Sequence, residues 1–199
     1  MWNWHRIEIT WGFAALLALA LLAGAGEVLP LVLLASACHE AGHLAALGLM
    51  GARVERIRFG FLGAEIRSDT RRLSYGREIL CVLAGPGVNL LLALVLARVS
   101  GDYLLAGANA VQGVFNLLPV PSLDGGTALH LFISFLTDPM AADRVCRWVG
   151  VVCALLLTAI AAVLVAVHGT GLFLLLGAAG MLLPQLTAFF CREEHNSLL

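Results

Sequence analysis

Little of this chain is left once its bilayer-length apolar runs are set aside. A membrane-spanning helix needs ~20 predominantly apolar residues. Uncharged or nearly uncharged runs of that size lie at Ile9–Gly26, Val28–Leu49, Ile79–Ala97, Tyr103–Leu123, Trp148–Val167 and Gly169–Cys191. Charged residues make up 13% of the chain, against about 25% in a typical soluble domain, too few to clothe a water-facing surface. The fold class expected is an all-α polytopic membrane protein. It has six transmembrane helices and one core over residues 1–199. The first run ends in small residues (LLAGAGE), but Glu8 and the lone Arg6 before it argue against a cleaved signal peptide.

The arginines give the orientation. All 12 basic residues are arginine, and with the N-terminus cytoplasmic only Arg98 falls on the far side, so both termini are expected in the cytoplasm of a cell-membrane protein. Seven of the arginines, from Arg53 to Arg77, lie between spans two and three. There RVERIRFGFLGAEI (Arg53–Ile66) partly alternates apolar and charged residues around Gly60 and Gly63, the pattern of a small cytoplasmic β-hairpin. The net charge of −1, with no basic tail, gives no sign of a nucleic-acid partner. The five cysteines form no C-x-x-C pair and are expected to be apolar fillers.

Inside the second run stands HEAGH, an H-E-x-x-H motif at residues 39–43. Residues four apart share a helix face, so the imidazoles of His39 and His43 can converge on one ion. Zinc suits neutral nitrogen ligands, and Glu40 is placed to take a proton from an activated water. An unpartnered carboxylate in the middle of such a run would cost several kcal/mol, which favours a metal site. A catalytic zinc usually has three protein ligands. Besides Glu40, the acid embedded at membrane depth is Asp124, in NLLPVPSLDGG (Asn116–Gly126). Pro119 and Pro121 break the fourth run there, and irregular backbone at membrane depth must be buried in protein or line a wet cavity. Zn²⁺ with Asp124 and Glu40 sums to zero charge, the least costly state in a low-dielectric site. Gly42 and Gly48 are expected to let helices approach closely. His130 is expected to make a plain polar contact.

These motifs resemble those of the site-2 protease family of intramembrane zinc metalloproteases. HEAGH matches its first motif, NLLPVPSLDGG its N-x-x-P-x-x-x-L-D-G motif, and AGPGVN (Ala84–Asn89) its G-P-x-x-N pattern. Within that family the chain most resembles the bacterial sporulation branch, which processes a membrane-associated pro-sigma factor. Within these 199 residues neither the PDZ-like insert of the envelope-stress branch nor the cystathionine-β-synthase-like domain typical of sporulation members is expected. The resemblance implies Zn²⁺ as cofactor, held by His39, His43 and Asp124 near the cytoplasmic side, with Glu40 as catalytic base and then acid. It makes Asn116 and Asn89 candidates for contact with the substrate backbone or oxyanion. It further implies a membrane-associated protein substrate and a regulatory membrane partner. A helical substrate must be unwound before its carbonyl is exposed, and the hairpin, at Gly60 and Phe61, is expected to hold it extended by strand addition.

The residues alone leave a second class open: a non-catalytic zinc-binding membrane protein or ion transporter. That class is expected to place ligands along a path rather than in one cluster. A serine protease is disfavoured, since no G-x-S-x-G occurs.

Overall fold

The computed structural model describes residues 7–22, 24–60, 63–168, 180 and 182. The chain divides into two compact units, Met1–Asn116 and Leu117–Leu199.

The first unit opens with a short strand β1 (Ile7–Ile9) and a helix α1 (Trp11–Leu22). The apolar run beginning at Ile9 is therefore not one helix from its start, because Ile9 pairs with Phe59 in a sheet. Helix α2 (Leu29–Leu49) follows, with Pro30 in its first turn, where the missing N–H costs nothing. Its end is sharply defined. Gly51 takes φ +75°, while the Ala52 N–H bonds to the Leu47 carbonyl at 2.9 Å and the Gly51 N–H to Gly48 at 3.1 Å. That is a Schellman closure, which needs a left-handed residue that only glycine adopts cheaply. The chain turns at once into β2 (Arg53–Gly60) and β3 (Gly63–Asp69).

β2 and β3 form the expected antiparallel hairpin, with Gly60 opposite Gly63. The sheet has a third member: β1 pairs parallel to β2, giving the order β1-β2-β3. Glu55 is an extra residue between the paired Val54 and Arg56. A bulge of this kind resets the side-chain alternation, so Val54, Ile57 and Phe59 are the shielded apolar residues of β2 while its arginines are exposed. The Phe13 ring packs on Phe59 at 5.6 Å and ties α1 to the sheet.

Helix α3 (Tyr75–Val95) contains Pro86 and ends in a π-helical turn, Leu96–Ser100. Gly101, at φ +68°, stops it, and α4 (Tyr103–Asn116) returns. The fourth apolar run is therefore no single span to Leu123, because helix geometry ends at Asn116, ahead of Pro119 and Pro121.

In the second unit, residues 117–123 form an irregular loop before α5 (Asp124–Leu136) and the long α6 (Pro139–His168). Val120 is wholly buried and packs with Leu123, Leu118 and Cys153 of α6. The loop lies directly on the first turn of α5. A Cβ on Gly125 would come 2.6 Å from the Leu118 carbonyl oxygen, and one on Gly126 would come 2.8 Å from the Pro121 nitrogen.

Among the described residues, three helices are long and apolar enough to cross a bilayer: Leu29–Leu49, Tyr75–Ser100 and Pro139–Val167. The first run yields 12 helical residues and the fourth 14, both shorter than the ~20 of a straight span. The sixth run lies almost wholly outside the described residues.

Gly125→Ala is expected to lower stability by about 1–3 kcal/mol through overpacking, read as a drop in the detergent-solubilised midpoint. Gly87→Ala, where a Cβ would meet nothing within 4 Å, should leave that midpoint nearly unchanged.

Candidate metal centre

Two helices, α2 and α3, build the histidine pair. α2 presents Ala35, His39 and Gly42 as buried positions, and α3 presents Cys81, Gly85 and Asn89. Residues at these spacings fall on one helix face. Their backbones come close because Gly42 has no side chain: a Cβ there would sit 2.8 Å from the Ala84 carbonyl oxygen and 3.0 Å from Val88 Cγ2. Gly48 has no such neighbour within 4 Å, so only Gly42 serves the close approach anticipated for both. A third helix is tied in by the Gln112 amide of α4, which donates to Ser36 Oγ of α2 at 3.0 Å.

The close approach lets the Cys81 carbonyl of α3 reach His43, at 2.9 Å from Nδ1. A carbonyl oxygen only accepts, so Nδ1 carries the proton. In the neutral ring Nε2 then bears a lone pair. His39 Nε2 lies 3.1 Å from His43 Nε2, with the rings edge-on, centroids 4.7 Å apart and planes at 82°. The His43 lone pair can accept from an N–H of His39, or the two nitrogens can share a cation. Two nitrogens each ~2.0–2.1 Å from one tetrahedral ion lie ~3.3 Å apart, close to the separation found. The donor pair fits a metal. His39 is 4% exposed, and its partner ring is held by a second hydrogen bond, the usual arrangement of ligating histidines.

Gly85 makes room for the His43 ring, since a Cβ there would collide with the imidazole, 2.6 Å from Cε1. Sequence reasoning passed over this residue, although it stands inside the quoted AGPGVN. The Cys81 carbonyl was also missed, and a backbone acceptor leaves no mark in residue type.

The other anticipated residues fall as follows. Glu40 is half-buried on α2. Asp124 is the first residue of α5 in the second unit, where the positive end of the helix dipole favours a carboxylate; its Oδ2 is buried. Asn89 is fully buried, and among the described residues neither of its amide atoms has a hydrogen-bond partner. Asn116 instead donates to the Gln112 carbonyl of its own helix at 3.1 Å. Gly60 ends β2, and Phe61 lies outside the described residues. His130 pairs with Asp143 at 2.8 Å, the plain polar contact anticipated.

No family model matches the chain. A stretch of 60 residues is 48% identical to a Ralstonia nicotianae protein described as "Putative zinc metalloprotease". The match covers 29% of this chain and 13% of that much longer protein. Among solved structures, the chain is similar to the site-2 protease from Methanocaldococcus jannaschii, with a TM-score of 0.69 and 21% identity over 94% of this chain and 93% of that one. The class defined is thus a mostly helical membrane protein with the site-2 protease fold and a small three-stranded sheet.

Gly85→Ala is expected to push the His43 ring off its position and reduce bound metal at least about tenfold, since a displaced ligand is no longer fixed for coordination. Metal content of the purified protein by elemental mass spectrometry checks this.

Proposed function

We propose that this chain is an intramembrane zinc metalloprotease of the site-2 protease family. It would hydrolyse a peptide bond in or near the membrane segment of a membrane-associated protein. The observation that carries this reading is the histidine pair: two Nε2 atoms 3.1 Å apart on a bilayer-length helix, one ring locked by a backbone carbonyl. The fold likeness to a site-2 protease and the local identity to a protein described as a zinc metalloprotease support it.

In this reading His39, His43 and Asp124 hold the ion. Zinc, when bound, supplies the Lewis acidity that eases deprotonation of water and polarises a peptide carbonyl. Glu40, beside His39 in sequence, takes the proton from water and returns it to the leaving amine. The Cys81 carbonyl keeps His43 in the tautomer whose Nε2 carries the lone pair that would ligate. Asn89 lies one turn beyond Gly85 with both amide atoms unbonded among the described residues, which suits it to a substrate backbone or oxyanion. Asn116 can serve the same end through its second amide N–H or its Oδ1 while one N–H stays on the Gln112 carbonyl. β3 is an edge strand among the described residues, and it offers hydrogen-bonding groups to an unwound substrate, a role in which Gly60 and Phe61 are proposed to share. The sporulation-branch resemblance points to a membrane-associated pro-sigma factor as substrate, with a regulatory membrane partner and an active site near the cytoplasmic face.

The test uses protein reconstituted with a tethered single-span substrate. Glu40→Gln should keep its zinc and lose cleavage by at least about a hundredfold, the scale of general acid–base catalysis; undiminished cleavage would sink the proposal. Asp124→Asn should lose both zinc and cleavage, and full zinc retention would remove Asp124 from the ligand set. Removing residues 60–63 should impair cleavage of a full-length substrate far more than zinc binding. Equal loss of both would count against the strand-addition role.

A further inference from the structure

A cavity of about 230 Å³ opens where α2 and α3 meet the sheet. Met50, Arg53, Asp69, Arg72, Leu73 and Arg77 are among its walls. Three arginines and one aspartate therefore line it, and the aspartate's carboxylate already accepts the Arg71 backbone N–H at 3.3 Å. Elsewhere on the sheet Arg56 pairs with Glu8 at 3.2 Å and Arg67 with Glu65 at 3.0 Å, while Arg58 of β2 lies outside the concave wall that gathers the cavity's arginines. Among the described residues Arg53, Arg72 and Arg77 have no ion pair. A concave site with a surplus of unmatched guanidinium groups is built for an anion with several oxygens, because the planar fork donates two parallel hydrogen bonds to phosphate. The volume exceeds several waters at ~30 Å³ each, enough for a phosphate group.

The C-terminal end of α2 opposes such an anion only weakly, because three of its last carbonyls are capped. The carbonyls of Ala46, Leu47 and Gly48 at the end of α2 are taken by the Met50, Ala52 and Gly51 N–H groups. Arg77 sits in the first turn of α3, whose dipole is positive there. Both helices are bilayer-length and both meet the cavity at their ends, which puts it at the membrane surface. Leu49 is 86% exposed and Leu80 58%, leaving apolar surface nearby for acyl chains.

We propose that this cavity binds a phosphate group, presented by an anionic phospholipid of the adjoining leaflet. The inference needs only the membrane setting and stands apart from the protease reading. Anionic headgroups gain about 1 kcal/mol per nearby basic residue, or about fivefold in affinity.

The full chain in mild detergent is titrated with phosphatidylglycerol, phosphatidylcholine or inorganic phosphate, and adducts are counted by native mass spectrometry. Phosphatidylglycerol should bind in preference to phosphatidylcholine. The Arg72→Gln/Arg77→Gln variant should weaken that adduct about thirtyfold. Arg58→Gln/Arg67→Gln, an equal charge loss outside the cavity, should leave it within about twofold. Arg77→Lys keeps both charge and helix but not the forked donors; it should weaken binding several-fold even if the double variant fails to fold. Inorganic phosphate bound without phosphatidylglycerol, and lost in the same cavity variants, would keep the phosphate site and overturn the lipid source. Equal weakening by the cavity and control pairs, or no anion adduct at all, would overturn the site. No outcome depends on proteolysis, so the two proposals fail separately.

Discussion

The contact between the Cys81 carbonyl and His43 Nδ1 is the interaction on which the rest of the centre depends. It exists only because α2 and α3 come close at Gly42, which meets the Ala84 backbone, and because Gly85 leaves space for the His43 ring. In a bilayer the helices gain little from hydrophobic burial, so small residues and interhelical hydrogen bonds carry the association. Here the same devices also set a tautomer. Moving either helix outward by the width of a methyl group would release His43, and the 3.1 Å spacing to His39 would go with it.

That arrangement is held from both ends of α2. The Schellman closure at Gly51 ends the helix two turns beyond His43 and sends the chain straight into β2, so the sheet and the arginine-lined cavity are fixed close to the helix end. Toward the other end, Ser36 meets Gln112 of α4. In the second unit the logic is inverted. The loop 117–123 breaks the helix, buries Val120 and rests on a glycine pair, so that Asp124 starts a new helix instead of ending an old one. An aspartate in a first helical turn is favoured by the dipole. The same irregular backbone is what the proposed hydrolysis requires for water at membrane depth.

The legible parts of the sequence were those written in residue type. H-E-x-x-H marked its helix face through the 3.6-residue period, and alternating charge marked the hairpin. The prolines at 119 and 121 marked a break, although the helix in fact stops three residues before the first of them. β1 was not legible, because only Ile9 belongs to the apolar run and the three residues Ile7–Ile9 are drawn into a strand by parallel pairing with β2. The bond from one Asn116 amide N–H to the Gln112 carbonyl was likewise not legible, because a side chain's backbone acceptor is not written in residue type.

By itself, then, the sequence determined the solvent and the chemistry. Charge scarcity demands a bilayer, and two histidines four apart with a glutamate between them demand a reason to be in one. Tertiary structure decided what makes the pair usable: which ring nitrogen of His43 is protonated, how far apart the two Nε2 atoms stand, and which glycine gives the ring its space. Those are decided by distances between segments some forty residues apart. A backbone carbonyl acting at such a distance has no letter in the sequence.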